Sequence, residues 1–287
     1  MATMHSAHEI VASCEHLRSL PAIYLRIRDE LESEDGSLPE VTRLVSHDAA
    51  ISARVLQVVN SPLYGFAGQI DNIMRAVQLL GMQQVHDLVL ASSIGEMFDG
   101  IDSRTMDMRM FWRLAVLRGL SSRVIARRCG LLDAERMFVI GLLASLGHLL
   151  MYLTVPEKAI AAQQQADTTG ALLHEIERRD IGADDAEVCC ALLDNWKLPS
   201  NFSPAVGGQH RPVLAGEHSL EAAILYLANR TADADRLGLS SQEAAERVAS
   251  GIWTHLDLAP QILAEVREEA ELNLAAVSAM FFPRQAG

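Results

Sequence analysis

Apolar residues recur along most of this chain at spacings of three and four, the mark of a helix that buries one stripe. Ile23, Ile27 and Leu31 form such a stripe near the start. Asp48 stands ahead of Ile51, Val55, Val58 and Val59 and predicts an N-cap followed by an amphipathic helix. That helix should stop at Asn60-Ser61-Pro62, because proline lacks a backbone donor and biases the residue before it out of the α region. Ile73, Val77 and Leu80 predict the next helix, closed by Gly81, and Val85, Leu88, Val89 and Ile94 predict one over 83–97. After a polar stretch at 99–104, Met110, Leu114, Leu117 and Val124 stripe a long helix that ends near Gly130. The most apolar run, 137–153, predicts a buried helix, and Pro156 opens another, as proline does at a first helical position. Further helices are expected over 170–180, 184–195, 201–209, 217–231, 240–254 and 258–280. No long stretch alternates with the β-branched bias of strands, so the expected class is all-α. The polar stretch at 99–104 divides the chain into residues 1–100 and 101–287.

Composition adds the kind of core and excludes some partners. The 287 residues are 49% hydrophobic and only 5% aromatic, so aliphatic side chains must fill the interior. The net charge is −13, which leaves nothing to gain from counterion release on a phosphate backbone. Nucleic acid and an anionic membrane surface are therefore not expected as partners. Cys14, Cys129, Cys189 and Cys190 show no Cys-x-x-Cys spacing, and no secretion leader is evident, so reduced thiols and a cytoplasmic location are expected. The run 137–153 falls short of the ~20 residues a bilayer needs and is interrupted by Gly141, Ser145, Gly147 and His148.

Candidate chemistry is sparse when read from residue types alone. His47-Asp48 could ligate a metal, but Asp48 is better placed as a helix cap. His174-Glu175, with Glu177, Arg178, Arg179 and Asp180, reads as a solvent-exposed polar face. Asp184-Asp185 begins a helix, where carboxylates suit the dipole better than they suit a metal. His148 interrupts an apolar helix and is expected as a core histidine with a hydrogen-bonded ring, a ligand role being the alternative. Arginines 113, 118, 123, 127 and 128 spread around one helix rather than forming an anion-binding stripe. No phosphate loop, Gly-x-Ser-x-Gly elbow or His-Glu-x-x-His motif occurs.

Several stretches in order resemble the HDOD family, bacterial signalling domains related to the HD metal-dependent phosphohydrolases. They are Leu20-Pro21, then Leu44-Val45-Ser46-His47-Asp48, and Val55 through Asn60-Ser61-Pro62-Leu63-Tyr64-Gly65. Ile70-Asp71-Asn72-Ile73, Ala76-Val77-Gln78-Leu79-Leu80-Gly81, Phe111-Trp112-Arg113, Gly141-Leu142-Leu143, Trp196-Lys197-Leu198-Pro199 and His210-Arg211-Pro212 follow, so the likeness covers about 17–212. It implies an N-terminal helical bundle over 1–100 and an HD-like helical part over 101–287. It also implies where an HD enzyme would place its ligands. The first His would stand at Leu114, the His-Asp pair at Ala144-Ser145, a later His at Asp185, and a His-His pair at Gln209-His210.

Leucine and alanine offer no donor and serine a poor one, whereas a hydrolytic site needs several converging ligands. The resemblance thus implies a vestigial pocket of Leu114, Ala144, Ser145, His148, Asp185, Gln209 and His210, with no catalytic residue, no metal and no cofactor. Asp48, Asn60, Ser61, Pro62 and Gly81 are expected to be structural. The implied role is a regulatory module that binds other signalling proteins carrying receiver, kinase or cyclic-dinucleotide domains. No such domain is evident in this chain, which acts alone or belongs to a longer protein. Two alternatives stay open: a divergent phosphohydrolase with ligands rebuilt from His148, Asp185 and His210, and a small molecule occupying the vacated pocket.

Overall fold

The computed structural model describes residues 4–14, 20–98 and 106–282, and among these the regular structure is helical, with no strand. The first helix, α1 (Ala7–Ser13), is followed by α2 (Ala22–Glu32), α3 (Leu38–Ser46), α4 (Ala49–Val59), α5 (Ile73–Leu80) and α6 (Met82–Met97). Then come α7 (Met108–Arg128), α8 (Ala134–Leu143), α9 (Leu146–Thr154), α10 (Pro156–Thr169), α11 (Leu173–Asp180), α12 (Asp185–Asn195) and α13 (Phe202–Gly207). A 3-10 segment, Pro212–His218, leads into α14 (Ser219–Leu237), α15 (Ser241–Glu246), α16 (Ser250–Leu256) and α17 (Ile262–Phe281). The chain forms two compact units, one of residues 1–19 and 102–270, the other of 20–101 and 271–287. The ends therefore trade places relative to the expected division at 100/101: the first residues join the later part and the last join the earlier. The polar stretch at 99–104, expected as the boundary, lies outside the described residues.

The smaller unit is a bundle of α2–α6 around Tyr24, Ile27, Val41, Val45, Val55, Val59, Val77, Val85 and Val89. Its helix ends follow the expected chemistry. Asp48 Oδ1 accepts from the backbone N–H groups of Ala50 and Ile51, both at 3.0 Å, and Gly81 ends α5 at φ 85°, a backbone angle that favours glycine. Asn60 closes α4 and also holds the loop after it. Its Nδ2 donates to the carbonyls of Leu56 (2.8 Å) and Ile70 (2.7 Å), and its Oδ1 accepts from Ile70 N at 2.7 Å. Ser61 Oγ donates to the Val58 carbonyl at 2.6 Å. Asn60→Ala leaves both backbone groups of Ile70 without this partner and should cost about 1–2 kcal/mol, read as a lowered urea midpoint. An unchanged midpoint would mean that water replaces the side chain freely.

The larger unit packs α7 against α8 and α14, and α12 against α9 and α13. Four differences from the expected helices matter. The run 137–153 is two helices, broken at Ala144-Ser145. Carbonyls at the break take side-chain donors: Gln209 Nε2 donates to Ala144 O (3.1 Å) and Cys189 Sγ to Leu143 O (3.2 Å). These bonds replace the helical ones lost there. The segment expected over 240–254 is also two helices, and α14 runs to Leu237, where Gly238 turns the chain at φ 67°. α1 and α3, absent from the expected helices, each start on a serine cap, and α1 carries a full Ser6–Glu9 capping box. By length and hydropathy Ala134–Thr154 could cross a bilayer, yet 78% of its apolar window is buried inside the protein.

Candidate functional site

The site is built where α9 meets α12. Gly147 makes that meeting close, since a Cβ there would stand 1.9 Å from the carbonyl oxygen of Asp185. His148, the next residue, is thereby held over the first turn of α12. Asp184 caps that turn, accepting from Glu187 N at 2.9 Å, while Glu187 answers to Asp184 N at 3.0 Å and Arg178 Nη2 donates to Asp184 at 2.6 Å. With Asp184 serving as the cap, the neighbouring Asp185 is free to turn inward, where it is buried.

Asp185 is shared by two imidazoles. Its Oδ1 lies 2.7 Å from His210 Nε2 and its Oδ2 lies 3.5 Å from His148 Nε2. The other nitrogen of His148 meets Glu177 Oε1 at 2.9 Å, and Glu177 Oε2 accepts from the backbone N–H of Asp185 at 3.2 Å. His174 stacks on His210 with ring centroids 4.1 Å apart. Burial works against an imidazolium at His148, but the carboxylates of Asp185 and Glu177 outweigh it and push its pKa up to about 9. Burial would raise Asp185, yet the adjoining His210 and His148 hold it well below the usual carboxylate range. Burial and the charge of His210 push His174 down to about 4, so the stacked ring is neutral. Burial raises the pKa of Glu177 against the pull of His148. The result is an alternating chain of carboxyl groups and imidazoles, Glu177–His148–Asp185–His210, closed by an uncharged ring.

Beside it opens a cavity of about 710 Å³. Leu114, Ala144, Ser145, His148, Asp185, Gln209 and His210 all line it. A second polar relay runs along its wall. Gln209 Oε1 accepts from Asn229 Nδ2 at 3.0 Å, and Asn229 Oδ1 accepts from Arg118 Nε. Gln209, at a position where the resemblance places a histidine, is thus fully employed between Ala144 and Asn229.

This geometry corrects one expectation and extends another. His174 and Glu177 are buried and belong to the site, although Glu175 and Arg179 of the same helix are exposed as expected. Residues three apart share a helix face, so a spacing of 174 to 177 was the signal available in the sequence. Asp184 caps α12 and Asp185 stands in its first turn as expected, but Asp185 is also the centre of a buried ion-pair cluster. His47 belongs to the smaller unit, 3.2 Å from Arg43, and Asp48 acts as a cap. The five arginines do diverge: Arg113 pairs with Asp235, Arg118 meets Asn229, Arg123 and Arg127 share Glu135, and Arg128 reaches Glu265.

The donor set does not fit an HD-type metal centre. Leu114 and Ala144 carry no donor, and Gln209 is consumed by the relay. Among the described residues a different trio, His148, Glu177 and Asp185, brings one ligand atom each within 4.8 Å of the others. That trio has the donor types for a single divalent ion, though His148 already meets both carboxylates here, one through each nitrogen.

The HDOD domain family model matches residues 17–212. A Treponema pallidum (strain Nichols) protein of uncharacterised function is 25% identical over 232 residues, covering 80% of this chain and 44% of its own length. The chain therefore spans less than half the length of that curated relative. A Geobacter sulfurreducens HDOD domain protein of unknown function superposes with a TM-score of 0.76 at 22% identity, covering 96% of this chain and 97% of its own. A Shewanella amazonensis SB2B protein bearing a provisional phosphohydrolase name superposes with a TM-score of 0.73 at 27% identity, covering 99% and 100% of the two chains.

Proposed function

The chain belongs to the HDOD family, and on that footing we propose that it is a non-enzymatic regulatory module of bacterial signalling, acting in the cytoplasm through contacts with other signalling proteins. The observation that carries this reading is the use made of the pocket. Asp185 is spent on two imidazoles, Gln209 on the broken helix end, and Leu114 and Ala144 fill wall positions with hydrocarbon. Hydrolysis of a phosphodiester by a metal-bound water needs an open coordination position backed by several ligands. A wall made of ion pairs and aliphatic groups supports a rigid fold instead. The partners this reading implies carry receiver, kinase or cyclic-dinucleotide domains.

One observation favours a second reading, a divergent metal-dependent phosphohydrolase: the trio of His148, Glu177 and Asp185. Elemental analysis of the purified chain, with assays on bis(p-nitrophenyl) phosphate and cyclic dinucleotides in added manganese, separates the two. The regulatory reading expects substoichiometric metal and no turnover above buffer, in the parent chain and in His210→Ala alike. Stoichiometric metal with turnover that disappears in Asp185→Asn would replace it with the hydrolase.

A further inference from the structure

The cavity beside Asp185 is unevenly charged in a way that the ion-pair chain leaves unused. Arg236 meets Asp167 at 3.0 Å, and Arg230 lies 3.7 Å from Asp233. His148 and His210 have their carboxylates. Arg118 differs from these, as does Arg247, which is exposed. The Nε of Arg118 is satisfied by a neutral carboxamide, and no described carboxylate lies within 4.0 Å of Arg118. Arg118 is half-buried, and the charges of Asp233 and Asp185 act on it only from beyond ion-pair distance, while it cannot shed its own charge as a lysine could.

Unsatisfied donors gather at the same place. Arg118 Nη1, Arg230 Nε and Ser145 Oγ are all buried without a hydrogen-bond partner, and all three residues line this cavity. Guanidinium nitrogens can only donate, so what they lack is an acceptor. The opposite requirement holds elsewhere on the wall. Met110, Leu172 and Leu237 are large apolar side chains that stay exposed, and each lines the cavity. A volume of about 710 Å³ is that of a site for a molecule of drug-like size.

We propose that this cavity is a binding site for a small organic anion, its acidic group on Arg118 and its apolar body against Met110, Leu114 and the neighbouring aliphatic wall. A carboxylate and a phosphate monoester share the required chemistry, planar or tetrahedral oxygens that accept from a guanidinium fork. Such a ligand would give a regulatory module its input, but the site does not depend on that reading. Hydrolytic activity in the same preparation would remove the proposed function and leave anion binding standing.

The test uses 8-anilinonaphthalene-1-sulfonate, an aromatic body with one anionic group, titrated by fluorescence against the full chain. Its neutral counterpart, N-phenyl-1-naphthylamine, is the control. Saturable binding of the sulfonate is expected, weakened about tenfold or more by Arg118→Met, the worth of a charge-assisted hydrogen bond. The neutral probe should be nearly indifferent to that substitution. Arg118→Lys should keep most of the sulfonate affinity, and Leu114→Trp, which fills the cavity, should block both probes. Competition by decanoate and by adenosine monophosphate then tells the carboxylate from the phosphate as the preferred group. Equal affinity in Arg118→Met with its helical circular dichroism intact, or equal affinity for both probes, overturns the proposal. So does binding untouched by Leu114→Trp, which also serves if Arg118→Met does not fold.

Discussion

Asp185→Ala should destabilise the larger unit by about 3–5 kcal/mol, the usual penalty for removing one partner of a buried charge pair. The substitution strips His210 of the carboxylate 2.7 Å away and leaves His148 with Glu177 alone. Water can replace only part of what is lost, because the His148 and His210 side chains are 25% and 14% exposed, Glu177 is buried, and His174 covers one face of His210. Asp185→Asn should cost less, since the amide keeps the shape and one acceptor while the imidazoles can give up their protons. All three tryptophans, Trp112, Trp196 and Trp253, belong to the larger unit, so tryptophan emission in urea follows its unfolding rather than that of the smaller bundle. A loss below about 1 kcal/mol for the alanine variant would show that the charges are solvated, and the ion-pair account of the pocket would fail.

How far the sequence foretells this arrangement depends on the kind of signal. Stripes such as Ile23-Ile27-Leu31 and Ile73-Val77-Leu80 are local, and the helices they predict form as expected. Asp48 and Gly81 act through their own backbone neighbours and are equally legible. The break at Ala144-Ser145 is not, because the residues that make it tolerable, Gln209 and Cys189, lie far along the chain. Glu177 is hidden for another reason. It sits on a short helix rich in charge, where its neighbours Glu175 and Arg179 face water, and only the packing of α11 on α12 turns it inward. Pocket residues aligned by family resemblance do converge on one cavity, but the resemblance says what Leu114 and Gln209 are not. Their present employment, as apolar wall and as hydrogen-bonded bracket, is visible only in three dimensions.

The contact that makes this convergence possible is also the one most exposed to a single atom. Gly147→Ala would set a Cβ 1.9 Å from the Asp185 carbonyl oxygen, 2.7 Å from its carbon and 3.0 Å from Cys189 N. These are backbone atoms of a helix, so no side chain can swing aside, and α9 and α12 must part. Overpacking commonly costs about 1–3 kcal/mol where side chains can adjust, and a backbone clash belongs at or above the top of that range. Parting the helices also moves His148 away from Asp185, adding the loss of a buried charge contact to the steric one. Gly251→Ala is the matched control, because nothing lies within 4 Å of its Cβ and it sits inside α16. Alanine should there leave stability unchanged or raise it by up to about 1 kcal/mol through helix propensity. Tryptophan emission in urea should thus show a collapse of the midpoint for Gly147→Ala and none for Gly251→Ala. Similar midpoints for the two variants would mean that α9 and α12 are not in backbone contact, and the site drawn around Asp185 would lose its foundation.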